Sequence, residues 1–205
     1  MSLFPMFVKL EGRQVVIVGG GEIAVGKLDG LLQAGAKVAV VSPAVNSQVS
    51  SLVKEGKIEW REKQFAPEDL EGAFLVIAAT SVPSVNESVY RAADARGLLC
   101  NAVDDIENCH FYYGAVVQRG DLQIAISTNG KSPALAQRLR KELEAQFGSE
   151  YESWIEWLGA AREVLRASGA APAQTKEVLH NLASSEGFER FLQEAARKPS
   201  TEGVE

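Results

Sequence analysis

The chain has 205 residues, of which 46% are hydrophobic and 23% charged, and its formal net charge is −6. This balance is typical of a soluble globular protein, and the negative charge excludes binding to nucleic acid or to an anionic membrane through the overall field. The chain has too few cysteines for a disulfide scaffold or a zinc site, no apolar run of the roughly 20 residues that span a bilayer, and no signal-peptide pattern, so we expect a cytoplasmic protein without a metal site.

Apolar runs and helical patterns alternate in the first half of the chain. The run 15–18 is β-branched and ends in three glycines, which is typical of a buried parallel strand. Strands that alternate with helices predict an α/β domain with a doubly wound parallel sheet of the Rossmann type, which we assign to residues 1–112. The predicted strands are 15–18, 37–41, 57–62, 74–79 and 98–103, and the predicted helices are 22–34, 45–55 and 85–96.

The pattern changes after this domain. Two apolar runs, 111–117 and 122–127, flank a short connection that contains Gly120, which predicts an antiparallel hairpin with a separate function such as subunit pairing. Ser132 and Pro133 then supply an N-cap and a first-turn proline for a helix that reaches about residue 147. We assign residues 113–148 to this small hairpin region, which would serve dimerisation and carry a substrate loop.

The last part of the chain, residues 149–205, is helical in pattern. A first helix carries an apolar face that includes Trp154, Trp157 and Leu165. The segment 169–172 interrupts it, and we expect two shorter helices over 176–183 and 188–197.

The turn after the first strand has the spacing of a dinucleotide-binding loop. Gly19 allows a tight turn, Gly21 allows the backbone to approach a pyrophosphate, and Ala24 allows the helix to pack on the strand. Free N–H groups at the helix start would face the phosphates. A glycine-rich turn without a ligand is the alternative, but the strand before it and the helix after it favour a dinucleotide.

The end of the second predicted strand departs from this fingerprint. An acidic residue usually binds the ribose hydroxyls there, whereas this sequence has Ser42, Pro43 and Ala44. The absence of an arginine near Ser42 argues against a 2′-phosphate and therefore against NADP.

Polar residues follow the later strands, where the ligands of such sheets bind. They are Thr80, Asn101 and the pair Asp104 and Asp105. A carboxylate at Asp104 could accept a proton as a hydride leaves the substrate, although a loop aspartate can equally cap a turn or stay solvated.

The segment 127–132 is a polar loop before a helix. Lys131 and the helix start would attract carboxylates. A nucleotide P-loop is excluded because that motif needs glycine where Ala125 stands. His110 and Cys109 lack spaced partners for a metal site, so a structural role is the better interpretation.

Several segments together resemble one family, the precorrin-2 dehydrogenases of sirohaem synthesis. The likeness runs in unbroken order over residues 3–145, which makes it far more specific than a single motif. The segments that carry it are 4–13, 16–24, 34–38, 41–43, 76–80, 100–104 and 127–136.

This resemblance implies an enzyme that oxidises precorrin-2 to sirohydrochlorin with NAD as hydride acceptor, and that forms an interlocked homodimer. It implies that Asp104 is the catalytic residue. It implies NAD contacts at Glu22, Ile23, Pro43 and Ala44, and the glycine spacing and the strand ends add Gly19, Gly21, Ser42 and Thr80 to the predicted cofactor-binding residues. It implies a substrate-side loop with Ser127, Thr128, Gly130, Lys131 and Ser132, and Asn101, at the end of a predicted strand, completes the predicted substrate-binding residues.

Two alternatives stay open at this stage. The family includes bifunctional members that also insert Fe²⁺ into sirohydrochlorin. A Rossmann module that only senses NAD is the second alternative, and Asp104 and the segment 127–136 argue against it because a sensor needs neither.

Overall fold

The computed structural model describes residues 3–197. The chain divides between Tyr113 and Gly114 into two compact units, which are described separately. The first unit confirms the predicted α/β Rossmann-type sheet. Its strands are β1 (Gln14–Val18), β2 (Lys37–Val41), β3 (Glu59–Arg61), β4 (Leu75–Ala78) and β5 (Leu99–Ala102), and its helices are α1 (Glu22–Gln33), α2 (Ser47–Lys54) and α3 (Pro83–Asp94).

The five strands form one parallel sheet in the order β3-β2-β1-β4-β5. The central strands are buried along nearly their whole length, because helices cover both faces of a parallel sheet. Alternate residues of β1 contribute to two separate cores: Val15 and Ile17 pack with Leu28 of α1, and Val16 and Val18 pack with Val89 of α3.

The chain direction across the sheet reverses between β1 and β4. From β1 the chain continues outward to β2 and β3, and it then returns to place β4 and β5 on the other side of β1. This reversal opens a crevice outside the carboxyl ends of β1 and β4, which is where open α/β sheets bind ligands.

The segment after β5 returns along the edge of that strand. The His110 N–H donates to the Cys100 carbonyl at 2.8 Å, and the Cys100 N–H donates to Nδ1 of His110 at 3.1 Å. The Asn101 side chain donates to the Phe111 carbonyl at 2.9 Å. Because these bonds hold Phe111 beside β5, the predicted strand over 111–117 was wrong at its start: the strand begins at Ala115.

The second unit contains the predicted hairpin and helices. Strands β6 (Ala115–Arg119) and β7 (Leu122–Ile126) pair antiparallel around Gly120, which has a φ of +54°. The predicted helix start at 176 was wrong because Pro172 occupies the first turn of a helix instead of breaking one. The helices are α4 (Pro133–Gln146), α5 (Glu150–Ala167), α6 (Pro172–Leu182) and α7 (Ser185–Arg197).

The predicted division of the second unit near residue 148 stays a prediction. Within residues 3–197, no helix combines the length and apolar character that crossing a membrane requires.

Candidate functional site

Gly19 and Gly20 fit tightly into the surrounding backbone of the first unit. Gly19 has a φ of +116°, and a Cβ atom on it would lie 2.4 Å from the Ala79 carbonyl oxygen. A Cβ atom on Gly20 would lie 2.6 Å from the Ala44 carbonyl oxygen. The loops that follow β1, β2 and β4 therefore meet at this turn, and glycine is required at both positions because no side chain fits.

Gly21 differs, because within residues 3–197 no atom beyond its two chain neighbours lies within 4 Å of the position that its Cβ atom would take. It is the N-cap of α1, in extended conformation and without a side-chain cap. The first N–H groups of that helix lack a capping side chain and open on this space, so they are free to donate to an anion. The fold thus leaves room for a ligand at Gly21.

A cavity of about 900 Å³ lies over this turn, in the range of small-molecule and cofactor sites. It is formed by the loops at the carboxyl ends of β1, β2 and β4 and by the start of α3. The structure brings all eight predicted cofactor-binding residues into its lining: Gly19, Gly21, Glu22, Ile23, Ser42, Pro43, Ala44 and Thr80. Residues that the sequence analysis did not select also line it, including Asn46, Gln64, Phe65, Ser81, Ser84 and Ser88.

The wall of the cavity beside β2 carries no charge. The Ser42 hydroxyl donates to the Ala44 carbonyl at 2.7 Å, and the Ser42 carbonyl accepts from Nε1 of Trp60 at 2.9 Å. Ser42 is therefore bound to its own loop. Among residues 3–197, Glu22 is the one charged residue in the lining of this cavity.

Thr80 is fixed by Asn86, a buried residue of α3. The Thr80 hydroxyl donates to Oδ1 of Asn86 at 2.7 Å, and Nδ2 of Asn86 donates to the Thr80 carbonyl at 3.0 Å. The Thr80 N–H also donates to Oδ1 of Asn86, at 3.1 Å. The sequence analysis missed Asn86, and an asparagine in the first turn of a helix after Pro83 is the signal that could have found it.

Asn46 is a second residue that the sequence analysis missed. Its N–H donates to the Gly20 carbonyl at 2.9 Å, and its Oδ1 accepts from the Val49 N–H at 3.0 Å, which caps α2. It therefore joins the glycine turn to α2. Its position before a helical pattern was the available signal.

Asp104 lies just past the sheet, at the edge of the crevice. The preceding N–H, of Val103, donates to the Ala78 carbonyl at 2.9 Å, which places Asp104 beside the carboxyl end of β4. Asp104 is exposed, has a φ of +61°, and is not part of the cavity lining. Asn101 is buried, and its amide group donates to the Phe111 carbonyl and to the sulfur of Cys109, so its visible role is to hold the segment after β5.

The loop 127–132 belongs to the second unit and is held by its own side chains. Oγ1 of Thr128 accepts from the Ser132 N–H at 3.1 Å, and Oγ of Ser127 accepts from the Asn129 N–H at 3.1 Å. Ser132 caps α4, as predicted, by accepting from the Leu135 N–H at 3.2 Å. Gly130 has a φ of +74°, and Lys131 is exposed.

A second cavity, of about 620 Å³, lies between α5 and α6. Its lining includes the basic side chains Arg162, Arg166, Lys176 and His180 and none of the predicted site residues. Within residues 3–197, no group of three or more histidine, cysteine or acidic side chains is placed to hold a metal ion.

Three proteins resemble this chain in fold or in sequence. The solved structure of SirC, a precorrin-2 dehydrogenase, matches 96% of this chain and 100% of its own, with a TM-score of 0.79 and 28% identity. The siroheme synthase of Photorhabdus laumondii is 42% identical over 163 residues, which are 80% of this chain and 35% of that protein. Siroheme synthase 3 of Aeromonas hydrophila is 36% identical over 200 residues, which are 98% of this chain and 42% of that protein.

The chain thus spans about two fifths of the length of these curated relatives. Two family models match in succession. One, described as "Sirohaem biosynthesis protein central", covers residues 119–146. The other, described as "Putative NAD(P)-binding", covers residues 6–115, which is more than half of the chain and includes the whole glycine turn and its cavity. The chain therefore belongs to this family of putative NAD(P)-binding proteins.

Proposed function

We propose that the chain is an NAD-dependent precorrin-2 dehydrogenase, which oxidises precorrin-2 to sirohydrochlorin. The observation that carries the proposal is the match to SirC, because it extends over 96% of this chain and leaves no part of that enzyme without a counterpart. The siroheme synthase relatives agree with a role in the same chemistry.

The cavity over the glycine turn fits a dinucleotide. The free N–H groups at the start of α1 would hold the pyrophosphate, and Gly21 leaves the space that the phosphates need. Thr80, fixed by Asn86, presents a rigid polar edge on the opposite side. When bound, NAD supplies the hydride acceptor of the reaction.

The same lining favours NAD over NADP. A 2′-phosphate is usually bound by an arginine or lysine side chain, and the described residues that line this cavity include neither. Glu22, which is the charged residue of the lining, would repel an added phosphate.

Asp104 is proposed to take the proton that leaves with the hydride. The oxidation removes a hydride and a proton from precorrin-2, and a carboxylate oxygen of Asp104 accepts the proton. An exposed carboxylate that follows β5 and lies beside the carboxyl end of β4 can reach a substrate over the crevice.

The substrate itself is a macrocycle with many carboxylates, which a protein of net negative charge has to bind through local cations. We assign this role to the loop 127–132, where Lys131 is exposed beside the positive N-terminal end of the α4 dipole. We propose that Asn101 affects substrate binding indirectly, because its side chain holds the segment after β5 in position. A change of Lys131 to Glu is expected to raise the KM for precorrin-2 more than it lowers kcat.

A homodimer in the cytoplasm is part of the proposal. A two-stranded hairpin is marginal alone, and β6 leaves Val116 exposed. Sedimentation velocity measures the state of association directly.

Anaerobic assay of the purified chain with precorrin-2 and NAD⁺ tests the function. We expect sirohydrochlorin and NADH to appear in equal amounts, and we expect NADP⁺ to support much slower turnover. An Asp104→Asn variant should lose most of the turnover and keep its affinity for NAD. Binding of NAD without any oxidation of precorrin-2 would reject the dehydrogenase and favour the sensing module.

A second arm of the same assay separates the bifunctional alternative. Sirohydrochlorin and Fe²⁺ are mixed with the chain without NAD, and the absorbance of sirohaem is compared with that of a sample without protein. Faster appearance of sirohaem with protein would establish iron insertion as an additional activity.

A further inference from the structure

The segment 103–109 leaves the sheet after β5 and returns to it at His110, and it carries Asp104. Strand β5 is an edge strand, so its outward N–H and carbonyl groups need partners from outside the sheet. His110 supplies them, because it binds both outward groups of Cys100. The contacts of His110 therefore decide how the base of this segment is held.

The bonds of His110 select one form of its ring. Its backbone N–H donates to the Cys100 carbonyl at 2.8 Å, and its ring nitrogen Nδ1 accepts from the Cys100 N–H at 3.1 Å. Nδ1 therefore carries no proton, and the neutral ring has its proton on Nε2. Nε2 donates to Oδ1 of Asp94 at 3.1 Å. The backbone of β5 thus selects the tautomer that can also bind to α3.

The end of α3 holds the His110 ring from the other side. The ring stacks on that of Tyr90, with 4.9 Å between the centroids and 26° between the planes. Asp94 is the last residue of α3, where the helix dipole opposes a negative charge, so an acid there needs a partner. Within residues 3–197, His110 is the one recorded partner of the Asp94 carboxylate. The same helix carries Asn86, which fixes Thr80 in the cofactor cavity.

We propose that His110, oriented by Asp94, is a positioning residue for the segment that carries Asp104. Its N–H and Nδ1 fasten the base of that segment to β5, and Nε2 fastens it to α3. One helix thereby sets the position of both the proton acceptor and the Thr80 wall of the cofactor cavity. The effect on turnover rests on the proposed function, whereas the effect on the order of the segment does not.

Two substitutions of His110 separate its two side-chain bonds. In His110→Asn, the amide oxygen branches from the same carbon as Nδ1 and can accept from the Cys100 N–H, but the side chain ends before the position of Nε2. In His110→Gln, the amide group can extend toward Asp94, but no acceptor stands at the position of Nδ1. His110→Ala removes both bonds.

The first test measures the order of the segment without any assay of activity. Amide hydrogen exchange is followed by NMR at the N–H groups of Ala102 and Asp105, which donate to the carbonyls of Asn108 and Ala102 at 3.2 and 3.3 Å. In His110→Ala we expect these two groups to exchange about tenfold faster or more, while the amides of β1 keep their rates. Unchanged exchange at Ala102 and Asp105 overturns the proposal. Equal acceleration in β1 also overturns it, because His110 would then stabilise the whole unit.

The second test measures turnover. We expect His110→Ala to lower kcat by about tenfold, with a KM for NAD within about twofold of the wild type, because His110 does not line the cofactor cavity. His110→Asn should recover part of the loss through the bond to β5. Asp94→Ala should lower kcat by a smaller factor, and Asp94→Asn should recover it, because its amide oxygen can accept from Nε2. Glu87→Ala is the matched control: Glu87 is the other acid of α3, and its ion pair is with Arg91.

The nitrogen chemical shifts of the His110 ring test the bonding itself. Heteronuclear NMR distinguishes a protonated ring nitrogen from an unprotonated one. In the wild-type chain at neutral pH we expect an unprotonated Nδ1 and a protonated Nε2, as the bonds to Cys100 and Asp94 require. A proton on Nδ1 would contradict the proposal, because the Cys100 N–H would then lose its acceptor.

The outcomes remain distinguishable from those of the proposed function. A wild-type chain that does not oxidise precorrin-2 rejects the function, and hydrogen exchange still decides whether His110 orders the segment. A wild-type chain that is active, together with full turnover in His110→Ala, overturns the inference alone. If His110→Ala fails to fold, His110→Asn, His110→Gln and the two Asp94 variants supply the decision.

Discussion

The two units of the chain bury their apolar residues to very different extents. In the first unit, β1, β2 and β4 are almost completely buried, and two cores lie on opposite faces of the sheet. In the second unit, Val117 and Ala136 are the buried hydrophobic residues among those that the structure describes. Helices α5 and α6 have none, and Val164 on α5 is 69% exposed.

This difference shows that the first unit buries apolar cores within a single chain, whereas the second unit buries few apolar residues. The first unit forms its own core, so it can shape a cofactor cavity without help. Exposed apolar side chains occur in both units: Phe4 is 85% and Phe7 70% exposed in the first, and Val164 is 69% exposed in the second. In the proposed homodimer, a second copy would cover side chains of this kind.

The largest expected effect comes from the glycine turn of the first unit. Gly19→Ala places a Cβ atom 2.4 Å from the Ala79 carbonyl oxygen at a φ of +116°. We expect a loss of about 4 kcal/mol or more in the free energy of unfolding, which is a large part of the stability of an ordinary domain. Thermal unfolding followed by circular dichroism measures it.

Gly21→Ala is the matched variant for Gly19. Among the residues that the structure describes, only its chain neighbours lie within 4 Å of the added methyl group, so folding should be nearly unchanged while the affinity for NAD falls. Calorimetric titration with NAD measures that affinity. Equal destabilisation of the two variants would show that the turn is not packed as described.

Truncation of apolar side chains tests the comparison directly. Ile17 is completely buried in β1, so Ile17→Ala should cost about 2–5 kcal/mol in the free energy of unfolding. Val164→Ala should cost less than about 0.5 kcal/mol in the monomer, because the side chain is already exposed. Urea unfolding at low protein concentration measures both.

A charged substitution on α5 tests whether this helix contributes to self-association. If α5 contributes to a dimer, Val164→Asp should raise the dissociation constant of self-association measured by sedimentation. The distinction between the units would be lost if Val164→Ala destabilised the dilute chain as much as Ile17→Ala.

Sequence patterns predicted those parts of the first unit whose structure is determined by residues close together in the chain. The buried run 15–18, the turn at Gly19 and the helix that follows form one local unit, and the structure places each where the pattern indicated. The contact of Lys27 with Tyr113 could not be predicted, because it joins residues that are distant in the chain. The pairing of His110 with Cys100 was missed for the same reason.

Binding of NAD should slow amide hydrogen exchange in the first unit and change it little in the second. A ligand at 100 times its dissociation constant stabilises its binding unit by about 2.7 kcal/mol, which slows exchange that requires unfolding about 100-fold. We expect this protection in β1, α1 and β4, around the cavity, and little in α5 and α6. Equal protection of both units would mean that they unfold together.

A smaller expected effect than that of Gly19→Ala or Ile17→Ala concerns the hairpin of the second unit. Gly120 has a φ of +54°, and a Cβ atom on it would lie 2.8 Å from Cγ of Glu152 on α5. Gly120→Ala should therefore cost about 1–2 kcal/mol in the free energy of unfolding, because the alanine is left-handed and the glutamate side chain is displaced.

Gly97→Ala in the first unit is the control, because its φ is +67° and, among the described residues, only its chain neighbours lie within 4 Å of the added methyl group. The excess cost of Gly120→Ala over Gly97→Ala, measured as the difference in urea midpoints, isolates the contact with Glu152. That excess should vanish in the Glu152→Gly background, and an excess that persists there would mean that the hairpin does not pack against α5 through this side chain.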